Sequence, residues 1–345
     1  MEYPAEEIVP RVAVVIPCYR VTRHVLDVIR RVPTSVSRIY AVDDSCPDGS
    51  GDLIQRECTD PRVVVLRNQV NQGVGGAVMH GYRQALLEGV EVVVKIDGDG
   101  QMDPGLLPAF VNPILSGEAD YTKGNRFFHP SDVAVMPRMR LFGNASLSLL
   151  NKVSSGYWDV FDPTNGYTAI GRSALESLNL GKISTRYFFE TDILFRLGLS
   201  RAVVFDIPMK AHYADEESGL KITKVLPEFA WKHLRNFFKR IFYLYYLRDF
   251  SIASLELIFG MGLGMFGAIY GGIHWWKSWM VGGTTSAGIV VLSAVALLSS
   301  LQLLLSFFNF DIGAVPRRSL ARLVRLRGQV VSSGANAGEL ASLSE

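Results

Sequence analysis

The chain has 345 residues, 48% of them apolar, with 35 basic against 33 acidic side chains and a net charge of +2. That length holds a full catalytic domain and an appendage, and so small a net charge gives no ground for nucleic acid as a partner. Three cysteines, Cys18, Cys46 and Cys58, stand at irregular spacing that matches neither a disulfide framework nor a zinc site and fits a reducing compartment.

The N-terminus lacks a basic stretch followed by a long apolar core, so no cleavable signal is expected. From residue 12 onward apolar runs alternate with helical patterns: VAVVIP (12–17) and a helix over 23–32, RIYAVDD (38–44) and a helix over 49–57, RVVVLRN (62–68) and a helix over 73–89, then VEVVVKI (90–96). This alternation predicts a mainly parallel sheet with helices on both faces, whose ligands bind beyond the carboxyl ends of the strands. The polar signatures fall at those ends: Pro17 and Tyr19 after the first strand, Asp43 and Asp44 after the second, Asn71 and Gly73 after the third, Asp97 and Asp99 after the fourth.

Asp97 and Asp99, in KIDGDGQMDP, are two carboxylates separated by one glycine on the loop leaving a buried strand. Such acids repel unless a cation or a shared proton relieves them, and hard oxygen ligands suit Mg2+ or Mn2+. An Asp-Gly turn accounts for the same residues.

Further on, YTKGNRF reads as a short strand and turn, 141–153 as a helix, and DPTNGYTAI as a turn into a strand. ISTRYFFETDILFRLG reads as a helix carrying Glu190 and Asp192, and RAVVFDIPM as a late strand. Residues 225–249 alternate basic and aromatic side chains, a composition that suits a helix in the membrane interface; a solvated helix packed on the domain fits the same pattern. Residues 251–276 and 287–308 are each long and apolar enough to span a bilayer and are joined by a short connector, which predicts a transmembrane hairpin. Basic residues precede the first span (Lys232, Arg235, Lys239, Arg240, Arg248) and follow the second (Arg317, Arg318, Arg322, Arg325, Arg327), so both termini and the N-terminal domain are expected in the cytoplasm. Glycines 260, 264, 267 and 271 invite close helix packing, within the hairpin or between copies in a homo-oligomer, and Glu256 and Gln302 are expected to face protein or the membrane edge. The expected organisation is a catalytic domain over 1–224, juxtamembrane helices over 225–249, the hairpin over 250–312 and a basic, then disordered, tail over 313–345.

VVIPCYR (14–20), AVDDSCPDGS (41–50), NQGVGGAVMHGYRQA (71–85) and IDGDGQ (96–101), in this order and followed by two apolar spans, resemble the family 2 glycosyltransferases, and within them the polyprenyl-phosphate sugar synthases of the dolichol-phosphate mannose synthase kind. The resemblance implies an α/β fold of GT-A type, a Rossmann-like domain that binds a nucleotide-sugar, a divalent cofactor (Mg2+ or Mn2+) and a polyprenyl-phosphate acceptor at the inner, cytoplasmic membrane. It implies nucleotide contacts at Pro17, Tyr19 and Asp44, with Asp43, Asn71 and Gly73 in the same set. Asp97 is implied as the ribose or metal contact, and Asp99 and Gln101 as metal ligands. GNRF (124–127) resembles the family's GSR segment, which makes Arg126 a phosphate contact with a catalytic role alongside Asp97 and Asp99. Arg138, Arg140, Ser218 and Lys221 are further acceptor-phosphate candidates. Glu190 and Asp192 stand where members that use hydroxyl acceptors keep a base, and here they are expected to orient or to be structural.

The pattern departs from the family in two places. Arg20 and Val21 replace the usual asparagine and glutamate, which leaves base preference open, and no QxxRW-like motif occurs, which argues against processive polysaccharide synthesis. The expected reaction is inverting transfer of a sugar from a UDP- or GDP-sugar to undecaprenyl or dolichyl phosphate. The rivals are transfer to a hydroxyl-bearing membrane lipid or lipid-linked sugar, and a non-catalytic membrane scaffold.

Overall fold

In the computed structural model, residues 11–128, 138–210 and 222–324 are described. Valine-rich runs buried on both faces make parallel central strands, because nothing polar marks a solvent side. Strand β1 (Val12–Cys18) pairs in parallel with β2 (Arg38–Asp43) and with β4 (Val92–Lys95), and β2 pairs in parallel with β3 (Val63–Arg67). Helices α1 (Val25–Arg31), α2 (Ser50–Glu57) and α3 (Val74–Leu87) make the crossovers. Gly81 lets α3 lie directly on Val15, where a Cβ would collide with the valine methyls.

The second part of the sheet departs from the simple alternation. A helix that the sequence reading does not include, α4 (Leu107–Leu115), follows β4. Beyond it come β5 (Tyr121–Asn125), α5 (Arg138–Ser155), β6 (Thr168–Gly171), α6 (Arg172–Ser177), α7 (Phe189–Ser200) and β7 (Val204–Pro208). The order across the seven strands is β3-β2-β1-β4-β6-β5-β7, with β6 antiparallel to both neighbours and β5 parallel to β7. The antiparallel strand matters for function. Thr168, where β6 begins, pairs with Lys95, where β4 ends, so the loop preceding β6 arrives at the carboxyl end of β4. Tyr167 from that loop stacks on Phe110 of α4 at 4.0 Å and fixes the approach.

The chain divides into two compact units: residues up to Leu234 together with those from Pro316, and Arg235–Val315. Helix α8 (Ile222–Ile241) runs across the boundary. Within the first unit, Phe229 and His233 of α8 meet the ring of Phe188 edge-on at 5.1 and 5.2 Å, and His233 Nδ1 shares a 2.8 Å hydrogen bond with Ser154 Oγ. Trp231, Leu234, Phe238 and Phe242 follow helical spacing and are exposed, an apolar stripe flanked by Arg235 and Lys239. The chain also returns to the first unit after the second apolar helix. Ser319 Oγ donates to the Gly117 carbonyl, and the buried carboxylate of Asp120 accepts from the backbone N–H groups of Leu320 and Ala321 as well as Val203.

In the second unit, α9 (Ile252–Met280) and α10 (Ala287–Gly313) are long and apolar enough to cross a membrane, and most of their surface is bare. The glycines pack within the hairpin: added Cβ atoms on Gly264 and Gly271 would strike Ser300 and Ser293, and Ser300 Oγ donates to the Gly260 carbonyl at 2.6 Å. Glu256 Oε1 accepts from Ser306 at 2.7 Å, whereas Gln302 is exposed. Arg240 of α8 forks onto Asp311 of α10 at 2.6 and 2.9 Å, and the Tyr245 hydroxyl donates to the same carboxylate at 2.6 Å, all three groups being buried.

Candidate active site

The first three parallel strands and β4 end at one cavity of about 680 Å³, a size within the usual range for small-molecule sites. Its wall includes Pro17 and Tyr19 after β1, Asp44 after β2, Asn71 and Gly73 before α3, and Asp97 and Asp99 after β4. The residues expected to meet a nucleotide are thus brought together, with one exception. Asp43 ends β2 and its carboxylate reaches toward the start of α2, where it accepts from the N–H groups of Cys46 (2.8 Å) and Gly51 (3.1 Å), and it does not line the cavity. Its work is to fix the loop that carries Asp44.

Asp44 is more committed than its sequence context implies. One oxygen accepts from Asn68 Nδ2 (2.7 Å) and Gln72 N (2.9 Å), the other from Gly73 N (2.8 Å). A carboxylate has about four acceptor sites, so most of them already organise the chain's own Asn68–Gly73 loop. Beside it, Arg20 adopts φ 60°, and its N–H donates to Cys46 Sγ at 3.1 Å, which sets the PCYR turn against the second strand end.

Two lysines that the sequence reading did not single out lie beneath the acids. Lys95 Nζ is 2.7 Å from Asp97 and 3.8 Å from Glu190, and its side chain is buried. Burial works against its charge, but Asp97 and Glu190 together hold its pKa above the ordinary lysine value. Lys123 of β5 donates to the Asn165 carbonyl, and burial lowers its ammonium to about 8 against the pull of Asp162 and Glu190. Glu190 faces both cations, yet burial still pushes its carboxyl up to about 7. Asp192, by contrast, accepts from Ser184 N at 2.8 Å and lies 3.4 Å from Arg196. Lys95 could have been suspected from the sequence as a charged residue inside an otherwise apolar run.

The loop before β6 ties this centre to Arg126. A Cβ on Gly166 would collide with Lys95 Nζ and Asp97, so only glycine allows the approach. Four residues earlier, Asp162 receives Arg126 Nε at 2.7 Å and its terminal nitrogen at 3.0 Å. The guanidinium is therefore oriented by a buried carboxylate. Arg138 and Arg140 lie in the first turn of α5, with side chains outside the described set, and Ser218 and Lys221 lie outside the described residues altogether.

The acid loop fits a divalent ion of the kind completed by substrate. Asp97 and Asp99 line one wall, Asp99 accepts from the Gln101 N–H at 3.0 Å, and no group of three or more His, Cys, Asp or Glu side chains with metal-holding geometry occurs among the described residues. Mg2+ and Mn2+ suit this arrangement, because they are commonly held by one or two carboxylates with the remaining positions filled by water and phosphate.

The sequence profile described as Glycosyl transferase family 2 matches residues 13–178. The undecaprenyl-phosphate mannosyltransferase of Micrococcus luteus is 30% identical over 213 residues, 61% of this chain and 86% of that protein. The UDP-N-acetylglucosamine–dolichyl-phosphate N-acetylglucosaminyltransferase of Methanococcus voltae is 25% identical over 215 residues, 58% of this chain and 85% of that protein. Among solved structures, glucosyl-3-phosphoglycerate synthase from Mycobacterium tuberculosis in complex with phosphoglyceric acid is 18% identical, covers 67% of this chain and 80% of its own, and superposes with a TM-score of 0.50, a likeness of fold. With the motifs gathered at one cavity and a relative matched across most of its length, the chain belongs to glycosyl transferase family 2 and carries its GT-A fold.

Proposed function

We propose that this glycosyltransferase moves a sugar from a nucleoside-diphosphate donor to a polyprenyl phosphate at a membrane. The observation that carries the reading is the single cavity into which four successive strand ends deliver Pro17, Tyr19, Asp44, Asn71, Gly73, Asp97 and Asp99. The acceptor class is supported by the relatives, which by name act on undecaprenyl and dolichyl phosphate. The membrane is supported by the two apolar helices and by the exposed aromatic stripe with basic neighbours on α8. The catalytic unit and both termini are assigned to the cytoplasmic side from the basic residues that flank the two spans, and a homo-oligomer would give Gln302 a protein neighbour.

In the reaction, an acceptor phosphate oxygen attacks the anomeric carbon, the bond from that carbon to the diphosphate breaks with its electron pair leaving on the nucleotide, and the configuration inverts. The nucleophile is anionic at neutral pH and needs positioning rather than deprotonation. Pro17, Tyr19 and Asp44 hold the nucleoside. Lys95 pins Asp97, so the acid loop is preorganised before the donor arrives. A divalent ion on Asp99 and Gln101, with Asp97 beside it, would neutralise the departing diphosphate. Arg126, oriented by Asp162, contacts the acceptor phosphate, with Arg138, Arg140, Ser218 and Lys221 as further contacts.

The test is a panel assay on the full chain in detergent, with undecaprenyl or dolichyl phosphate, Mg2+ or Mn2+, and UDP- and GDP-sugars supplied singly. Label entering the lipid fraction from one donor supports the reading and identifies the sugar; no transfer from any donor overturns it.

A second reading, transfer to a lipid hydroxyl, is favoured by one observation: Glu190 is a buried carboxyl raised to about 7, beside the acid loop, which suits a general base. Glu190→Gln separates the two. With a phosphate acceptor, kcat is expected to fall less than about tenfold, whereas loss of a general base costs about 10²- to 10⁴-fold.

A further inference from the structure

The cavity wall contains a cation that none of the motifs assigns. The segment 184–189 lies across the first turn of α3, and two of the glycines of NQGVGG, Gly73 and Gly75, make room for it. Gly76 N donates to the Thr185 carbonyl at 3.0 Å. A Cβ on Gly75 would come within 2.6 Å of both the Ser184 carbonyl and Phe189 Cβ, and one on Gly73 within 2.7 Å of the Thr185 carbonyl and 3.0 Å of Arg186 Cγ. Gly73 also holds φ +84°, which disfavours a side chain for a second reason. The backbone at residue 186 is therefore set by close packing against the donor loop.

From that position Arg186 lines the same cavity as Asp97 and Asp99. Three arginines elsewhere in the chain are each matched by an acid: Arg126 by Asp162, Arg196 by Asp192 and Arg240 by Asp311. No ion pair among the described residues uses Arg186. A planar cation that faces a substrate cavity without an acid of its own is complementary to an anion, and its fork matches phosphate oxygens. Arg20, the other arginine of the wall, lies 5.5 Å from the centre of the Tyr19 ring and belongs to the turn after β1.

We infer that Arg186 is a donor-binding residue whose guanidinium holds the diphosphate of the nucleotide, a contact additional to the divalent ion. The inference rests on the proposed function and narrows it. It explains why Gly73 and Gly75, before and within the first turn of α3, are needed: they let an arginine-bearing segment lie close enough to reach phosphate while the base occupies the Tyr19 side.

Calorimetric titration of the full chain in detergent tests this, using UDP, GDP and the parent nucleosides uridine and guanosine, each with Mn2+ and with EDTA. Relative to wild type, Arg186→Ala is expected to weaken the diphosphate about 10- to 100-fold, to leave the nucleoside within about twofold, and to do so with and without metal. Arg186→Lys should recover part of the loss. Equal losses for nucleoside and diphosphate would show a structural role and overturn the inference, as would unchanged diphosphate binding. A wild-type protein that binds neither diphosphate sinks the proposed function as well. A wild type that binds one, with Arg186→Ala binding it equally, sinks only the role of Arg186.

Discussion

Asp99→Ala is expected to lower sugar transfer by about a thousandfold or more at saturating Mg2+ or Mn2+, with the protein still folded. Charge stabilisation of the leaving diphosphate by a metal is worth several kcal/mol, and each 1.36 kcal/mol is about tenfold in rate. Asp99 is the cleaner target of the two acids. It is half-buried on a loop, whereas Asp97 neutralises the buried ammonium of Lys95 at 2.7 Å, so its removal also leaves a charge stranded beneath the site. Mn2+ binding followed by electron paramagnetic resonance supplies an independent readout: the bound fraction in the presence of nucleoside diphosphate should collapse in Asp99→Ala. Transfer within tenfold of wild type, at unchanged metal affinity, would remove Asp99 from the mechanism.

The second large effect concerns stability rather than chemistry. Asp311→Ala leaves the Arg240 guanidinium buried without its carboxylate and deprives the Tyr245 hydroxyl of its acceptor. Breaking such a pair from one side costs about 3–5 kcal/mol. Thermal unfolding in detergent should show a marked fall in Tm, and the double replacement Arg240→Met with Asp311→Leu should recover most of it, since apolar residues of similar volume replace a buried pair at little cost. A Tm within about one degree of wild type in the single variant would show that water or detergent reaches the pair.

Much of the cavity wall was legible because its determinants are local. Valine-rich runs mark β1 to β4, and a turn residue placed after a parallel strand falls at the ligand-binding edge of the sheet. The rest depends on which segments meet. The four residues of β6, TAIG, carry no sign of direction, yet their antiparallel entry brings Gly166 onto Asp97 and Asp162 onto Arg126. Helix α4 is masked by Pro108 and by Pro113 within it. Asp43 and Asp44 are adjacent and chemically identical, but strand alternation sends one to cap α2 and the other to the cavity, a division that their names cannot reveal. Lys95 reads as a break in an apolar strand and Lys123 as one polar residue among others, because Glu190, which acts on both, and Asp162, which acts on Lys123, come from elsewhere in the chain.

The return of the chain to Asp120 has a consequence for biosynthesis. Asp120 is buried and waits for the N–H groups of Leu320 and Ala321, which leave the ribosome only after both apolar helices. Domains fold largely in order of synthesis, so the catalytic body must remain one closing contact short of completion while the hairpin is being made. Synthesis of both apolar helices then becomes a precondition for the finished catalytic body, and a chain cut short between the two helices would leave Asp120 with the Val203 N–H but without those of Leu320 and Ala321.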